Sequence, residues 1–124
     1  MNHLRPLSVG GVSEIYFNPS CSKCRTALAL LDERGLEVEV VRYLEIPPTR
    51  AALEGLMDLL GIADPRAMMR TGEPVYAELL LEGATRDELL DAMSTHPILL
   101  ERPIFVNGEK AVIGRPPERV LDLL

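Results

Sequence analysis

The sequence has no apolar run long enough to span a bilayer, and residues 1–13 lack the apolar stretch of a secretory signal peptide. We therefore expect a cytoplasmic protein without a membrane partner. The chain also has little positive charge: it contains 13 lysines and arginines but 19 aspartates and glutamates, which gives a net charge of −6. Nucleic-acid binding normally shows a basic stripe on the protein, so we expect no nucleic-acid partner.

Residues that bind metals are equally scarce. The chain contains two cysteines and two histidines, and a structural zinc site needs four ligands. His3 and His96 do not have the paired spacing of such a site. We expect no metal, and at 124 residues we expect a monomer.

The hydrophobic pattern predicts a single α/β domain over residues 14–124, preceded by a flexible tail over residues 1–13. A short strand at residues 14–17 is followed by a helix that Gly35 ends, and residues 36–40 alternate as a second strand. The apolar face of the helix has the spacing i, i+3, i+4 and i+7, and consists of Cys24, Ala27, Leu28 and Leu31. The chain therefore begins with a βαβ order.

The middle of the chain reads as a helical insertion that begins after Pro47-Pro48. Thr49 is a plausible N-cap, and Asp64-Pro65 resembles a second helix start with proline in the first turn. Thr85 and Glu88 have the spacing of a capping box. We therefore expect several helices between the two halves of the sheet.

The end of the chain returns to strands, at residues 104–106 and 111–113. Asn107-Gly108 lies between them, and this dipeptide is a strong hairpin signal. A last helix is predicted after Arg115-Pro116-Pro117. The complete order, βαβ, helical insertion and ββα, is that of a thioredoxin-like fold with a small mixed β-sheet.

The two cysteines lie three residues apart at the start of the first predicted helix, in the segment Asn18-Pro19-Ser20-Cys21-Ser22-Lys23-Cys24-Arg25. Free backbone N–H groups and the positive end of the helix dipole stabilise a thiolate there, and Lys23 and Arg25 add positive charge. Cys21 is therefore the expected nucleophile. Cys24 lies on the apolar face, where it is either a buried core residue or a resolving thiol that forms a disulfide with Cys21.

Four segments of the chain carry a resemblance to a known family over residues 14–124. They resemble the ArsC family of glutaredoxin-coupled arsenate reductases, which have a thioredoxin-like fold with a helical insertion. The segments are residues 15–25, Met68-Met69-Arg70, residues 96–104 and Gly114-Arg115-Pro116-Pro117-Glu118.

The resemblance implies a site and a reaction. Cys21 aligns with the catalytic cysteine, and Arg70, Arg102 and Arg115 align with the arginines that bind the oxyanion substrate. Pro103 aligns with a proline that is typically cis in this fold. The implied reaction reduces arsenate to arsenite without a bound cofactor, with glutathione and glutaredoxin as the electron donors.

Two positions depart from the family pattern. Phe17 stands where many members have a histidine that assists ionisation of the cysteine. Cys24 stands where the better-known arsenate reductases of this branch tend to have serine, so an internal Cys21–Cys24 disulfide would allow thioredoxin or glutaredoxin to donate electrons directly.

Two other functions stay open at the level of sequence. Spx proteins of the same superfamily carry a Cys-x-x-Cys redox switch and regulate transcription by binding RNA polymerase. Arg115 in its Pro-Pro-Glu context favours the ArsC side, because Spx-like chains tend to lack that arginine. The other alternative is an ArsC-family thiol oxidoreductase whose substrate is not arsenate.

Overall fold

The computed structural model describes residues 13–124. The predicted tail therefore lies outside the described residues, apart from Ser13, which begins strand β1 (Ser13–Tyr16). The chain divides into two compact units. Residues 13–41 with Arg102–Leu124 form one, here called the sheet unit, and Arg42–Glu101 forms the other, the helical unit.

The sheet unit contains a four-stranded mixed sheet and confirms the predicted fold class. Its strands lie in the order β2-β1-β3-β4, in which β1 and β2 are parallel and the other neighbouring pairs are antiparallel. The remaining elements, in chain order, are helix α1 (Ser22–Glu33), β2 (Glu39–Val41), β3 (Ile104–Asn107), β4 (Lys110–Ile113) and a 3₁₀ helix at Pro117–Leu123.

The core of the sheet unit lies between α1 and the sheet. Ile15 and Phe17 alternate along the chain and reach the same cluster, as the period of a strand requires. The predicted apolar face of α1 is confirmed, because Cys24, Ala27 and Leu31 are all buried in that cluster. The helix thus places Cys24 inside the core and leaves the preceding turn at its edge.

Glycines end α1 and turn the β3–β4 hairpin where the sequence predicted them. Gly35 has φ 74° just after α1, and Gly108 has φ 66° in the two-residue hairpin loop. Left-handed backbone of this kind favours glycine because a Cβ atom is absent. Asn107, which the hairpin motif also includes, is instead the last residue of β3 and pairs with Lys110.

The helical unit corresponds to the predicted insertion and contains helices α2 (Arg50–Leu60), α3 (Pro74–Glu78) and α4 (Arg86–Thr95). Thr49 caps α2 by accepting a 3.1 Å hydrogen bond from the Ala52 N–H. Thr85 and Glu88 form the predicted capping box of α4. Short 3₁₀ helices connect these elements, at Pro65–Met68, Leu81–Gly83 and Pro97–Leu99.

Several predicted elements differ in detail from the structure. The helix expected to start at Asp64-Pro65 is the four-residue 3₁₀ helix Pro65–Met68, and the first strand is Ser13–Tyr16 rather than residues 14–17. The second strand was expected at residues 36–40, whereas β2 is the three-residue segment Glu39–Val41 at the edge of the sheet. The last helix is a 3₁₀ helix rather than an α-helix. Residues three apart lie on the same face of a 3₁₀ helix, so Val120 and Leu123 both reach the core from this segment.

No helix in the part of the chain that the structure describes has the length and apolar composition needed to cross a membrane.

Candidate active site

The loop between β1 and α1 is held by hydrogen bonds that centre on Asn18. Its side-chain oxygen accepts a 2.9 Å hydrogen bond from the Ser20 N–H, and its carbonyl accepts one of 2.9 Å from the Cys21 N–H. Arg25 donates a 2.8 Å hydrogen bond to the Pro19 carbonyl from the first turn of the helix. An Asx turn of this kind fixes the chain locally, so Cys21 occupies a defined position.

Cys21 is the N-cap residue of α1, with extended backbone angles of φ −95° and ψ 119°. Its side chain is partly buried against the core. Burial raises the pKa of the thiol, but hydrogen bonds from the Cys24 N–H, the Arg102 guanidinium, the Cys24 thiol and the Lys23 N–H outweigh burial and lower the pKa to about 7. A substantial fraction of Cys21 is therefore thiolate at neutral pH.

Cys24 has the opposite electrostatic environment. Its exposed fraction is 0%, and burial is the main reason that the pKa of its thiol rises to about 12. A backbone hydrogen bond from Asn18 and the charge of Arg102 lower that pKa, whereas the hydrogen bond to Cys21 and the Cys21 charge raise it. Cys24 is thus a neutral thiol in direct contact with a thiolate, and both cysteines are free.

Arg102 and Arg115 are joined at the end of the sheet unit that carries Cys21. The Arg115 guanidinium donates a 2.8 Å hydrogen bond to the Arg102 carbonyl, and the Arg102 guanidinium reaches the Cys21 sulfur. The Arg102–Pro103 peptide bond is cis, as expected from the resemblance, and the Arg115–Pro116 bond is cis as well. The structure therefore brings together four of the five predicted site residues, namely Cys21, Cys24, Arg102 and Arg115.

Gly114 lies against the segment that carries Arg102. Its N–H donates a 2.8 Å hydrogen bond to the Pro103 carbonyl. A Cβ atom at this position would lie 2.9 Å from Pro103 Cγ and 3.0 Å from Val120 Cγ1, closer than side chains normally approach. Glycine fits here because the Pro103 ring and the Val120 side chain occupy the space that a Cβ atom would need.

Phe17 is buried in the same core cluster against which Cys21 packs. Its ring has no titratable group, so it cannot take a proton from Cys21 or give one to it. The groups that lower the Cys21 pKa are instead backbone N–H groups, the Arg102 guanidinium and the Cys24 thiol.

Arg70, the fifth predicted site residue, belongs to the helical unit. Its guanidinium forms ion pairs with Glu73 and Glu101, at 3.0 Å from Nε and 3.4 Å from Nη1. The same three residues line a polar cavity of about 380 Å³. A larger cavity of about 520 Å³ in this unit is lined by residues that include Leu80 and His96, and it contains none of the five predicted site residues.

Sequence reasoning missed several residues that organise these sites. Asn18 could have been found, because asparagine followed by proline after a strand is typical of a side-chain-stabilised turn. Glu73, Glu101 and the close approach at Gly114 have no signal in the sequence, because each depends on a contact between segments. Among the described residues, no three His, Cys, Asp or Glu side chains are grouped as metal ligands would be.

The chain is similar to known proteins and structures over most of its length. The family model described as "ArsC family" matches residues 16–123. An arsenate reductase of Neisseria meningitidis is 47% identical over 86% of this chain and 93% of its own length, and the uncharacterized Escherichia coli protein YfgD is 49% identical over 90% and 95%. A solved structure titled as an arsenate reductase from Vibrio cholerae superposes with a TM-score of 0.88 and 46% identity, over 91% of this chain and 98% of that one.

The mixed sheet, the helix whose N-cap is Cys21 and the Cys-x-x-Cys pair define a thiol protein of thioredoxin-like fold. The chain belongs to the ArsC family.

Proposed function

We propose that this protein is an arsenate reductase in which Cys21 is the nucleophile and Arg70, Arg102 and Arg115 bind the oxyanion. The observation that carries the proposal is the Cys21 thiol at the N-terminus of α1, with a pKa lowered to about 7 and a hydrogen bond from Arg102. A site that stabilises a thiolate with N–H groups and a guanidinium also suits an anionic substrate. Names of relatives in the ArsC family support arsenate as that substrate.

In the first step the Cys21 thiolate attacks arsenic. A sulfur–arsenic bond forms and one arsenic–oxygen bond breaks, and the departing oxygen takes up protons and leaves as water. Arsenic remains As(V) at this stage. Arg102 and Arg115 stabilise the negative charge on the remaining oxygens, because guanidinium N–H groups form charge-assisted hydrogen bonds with oxyanions.

In the second step another thiolate attacks the Cys21 sulfur. A sulfur–sulfur bond forms, the sulfur–arsenic bond breaks, and its electron pair stays on arsenic, which becomes As(III) and leaves as arsenite. The two sulfurs are thereby oxidised to a disulfide. A thiol donor supplies the two electrons that return the enzyme to its reduced form.

The hydrogen bond between the two cysteines supports Cys24 as the second thiol. Burial raises the Cys24 pKa, and the negative charge of Cys21 raises it further. When Cys21 is bonded to arsenic, the negative charge on its sulfur is lost. The Cys24 pKa therefore falls, and the Cys24 thiolate forms more readily. The Cys21–Cys24 disulfide would then be reduced by glutaredoxin or thioredoxin, whereas glutathione is the second thiol if Cys24 is only a core residue.

An arsenate-reduction assay tests the function. The purified protein is supplied with glutathione and glutaredoxin in one series, and with thioredoxin and its reductase in another. We expect arsenite with at least one donor system, and a loss of about 10³-fold or more in Cys21→Ser. Absence of turnover with both systems would exclude the proposed reaction.

The matched variant Cys24→Ser identifies the second thiol. If Cys24 attacks the adduct, this variant loses turnover with thioredoxin and retains it only where glutathione is present. Mass spectrometry of the oxidised wild-type protein should then find an internal disulfide, with Cys21 bonded to Cys24. Unchanged turnover with thioredoxin in Cys24→Ser would assign Cys24 to the core alone.

A further inference from the structure

Arg70 is held by two carboxylates, and all three side chains are mostly buried. Its Nε donates a 3.0 Å hydrogen bond to Glu73 Oε2, and Nη1 donates one of 3.4 Å to Glu101 Oε1. The side chains of Arg70, Glu73 and Glu101 are 24%, 21% and 22% exposed. Ion pairs that are this sheltered hold their geometry better than surface pairs, which solvent and salt weaken.

The backbone of the helical unit brings these three residues together. Met69 and Leu100 form an isolated antiparallel bridge. On its two sides the Arg70 N–H donates to the Leu99 carbonyl at 2.7 Å, and the Glu101 N–H donates to the Met68 carbonyl at 2.9 Å. The fixed register of the bridge therefore places Glu101 next to Arg70.

Glu73 lies three residues after Arg70, and a turn in the chain brings its side chain back to Arg70. Its N–H donates a 3.1 Å hydrogen bond to the Arg70 carbonyl, so a tight turn over residues 70–73 returns the carboxylate to the guanidinium. The two carboxylates thus come from separate backbone segments, and each segment is fixed by its own main-chain hydrogen bonds.

The two carboxylates leave part of the Arg70 guanidinium available to an anion. A guanidinium has five N–H donors in a planar fork, and the two carboxylates take one on Nε and one on Nη1. Among the contacts within residues 13–124, the Nη2 amino group and the second N–H of Nη1 are the donors that remain for an oxyanion. Nη1 and Nη2 are neighbouring nitrogens, and a guanidinium can offer such a pair to an oxyanion in a bidentate manner.

We propose that Glu73 and Glu101 are positioning residues that hold the Arg70 guanidinium oriented for oxyanion binding. This inference rests on the proposed function, in which Arg70 is a ligand of the substrate. A free arginine side chain loses rotamer entropy when it binds an anion, and a side chain that is already oriented loses less. The two negative charges beside Arg70 also repel an incoming anion, so the carboxylates orient the guanidinium and at the same time oppose binding.

Alanine and glutamine variants separate orientation from charge. Glu73→Ala and Glu101→Ala remove the acceptor, so we expect KM for arsenate to rise by about tenfold while kcat changes by less than about twofold. Glu73→Gln and Glu101→Gln keep an amide oxygen that can accept from Arg70 and remove the charge. We expect their KM to equal the wild-type value or to fall below it.

The control variant is Glu54→Ala, which removes a carboxylate of the same unit that pairs with Arg50 and Arg86. Its KM should not change. If an alanine variant does not fold, Glu73→Asp or Glu101→Asp replaces it, because aspartate keeps the charge and withdraws the acceptor by one methylene. We expect KM to rise in the aspartate variants too.

A second readout does not need turnover. Phosphate should protect Cys21 from iodoacetamide, and the phosphate concentration for half-maximal protection should rise in the alanine variants as KM does. The positioning role would be overturned if the alanine variants had wild-type values of KM and of the phosphate concentration for half-maximal protection. It would also be overturned if the glutamine variants showed the same rise in these values as the alanine variants. If Arg70→Ala also binds phosphate and arsenate normally, the proposed role of Arg70 itself is wrong.

Discussion

The Cys24 thiol donates a hydrogen bond to the Cys21 sulfur, and the pKa values of the two thiols are shifted in opposite directions. The Cys21 pKa is lowered to about 7 and the Cys24 pKa is raised to about 12. Burial raises both, but the donors that offset it are concentrated on Cys21: two backbone N–H groups, Arg102 and Cys24 itself. One turn of α1 thus separates an ionised cysteine from a neutral one.

Alkylation by iodoacetamide should follow this difference. The rate of Cys21 modification should rise with pH through a midpoint near 7, because the thiolate is the reactive form. Native Cys24 should stay unmodified over the same range, since it is buried and neutral. Mass spectrometry after each reaction identifies the modified residue, and a midpoint above 8 for Cys21 would contradict the assigned environment.

The low Cys21 pKa also affects stability. The ordinary pKa of cysteine in an unfolded chain is about 8.5, so folding favours the Cys21 thiolate. The thiolate's contribution to stability is fully present above about pH 8.5 and is lost as the pH falls through about 7. Urea unfolding of wild type and Cys21→Ser between pH 6 and 8 measures this contribution. The free energy of unfolding of wild type should increase relative to that of Cys21→Ser as the pH rises.

Replacement of Arg102 should make Cys21 less acidic. Arg102→Met removes a hydrogen-bond donor and a positive charge from the thiolate, so the Cys21 pKa should move upward. A rise of about one unit would reduce the alkylation rate at pH 7 by about fivefold. The control is Arg119→Met, because Arg119 is an exposed arginine of the same unit that pairs with Asp122. Equal pH profiles in both variants would argue against contact between Arg102 and Cys21.

The same substitution should have opposite effects at two glycines. Gly114→Ala places a methyl group 2.9 Å from Pro103 Cγ and should destabilise the protein by about 1–3 kcal/mol. Gly55→Ala, in the middle of α2, meets nothing within 4 Å and should stabilise it by about 0.5–1 kcal/mol. Thermal unfolding of both variants tests the pair, and a tolerated methyl group at position 114 would show that the close approach is relaxed in solution.

The capping box of α4 should contribute measurably to stability. Thr85→Ala removes the side-chain oxygen that accepts from the Glu88 N–H, at a cost of about 1 kcal/mol. Thr85→Ser keeps that oxygen and should remain within a few tenths of a kcal/mol of wild type. Urea midpoints compare the three proteins. A serine variant as unstable as the alanine variant would mean that the threonine methyl group matters more than the cap.

Features that depend on neighbouring residues could be predicted from the sequence. Thr49 and the Thr85–Glu88 box fixed two helix starts, because caps use donors within three residues. Gly108 marked the hairpin, and the spacing of apolar residues on α1 placed Cys24 in the core. The strand bounds and the choice between α and 3₁₀ geometry were less accurate, since packing decides where a short segment ends.

The sequence by itself determined that a cysteine lies at a helix N-terminus, because the motif and the helix pattern are both local. Only the tertiary structure decided how acidic that cysteine is, since Arg102 lies 81 positions further along the chain and reaches Cys21 through the fold. The same is true of Arg70, whose partner Glu101 is 31 positions away. Charges act through space, so their effects depend on distances that folding sets rather than on spacing along the chain.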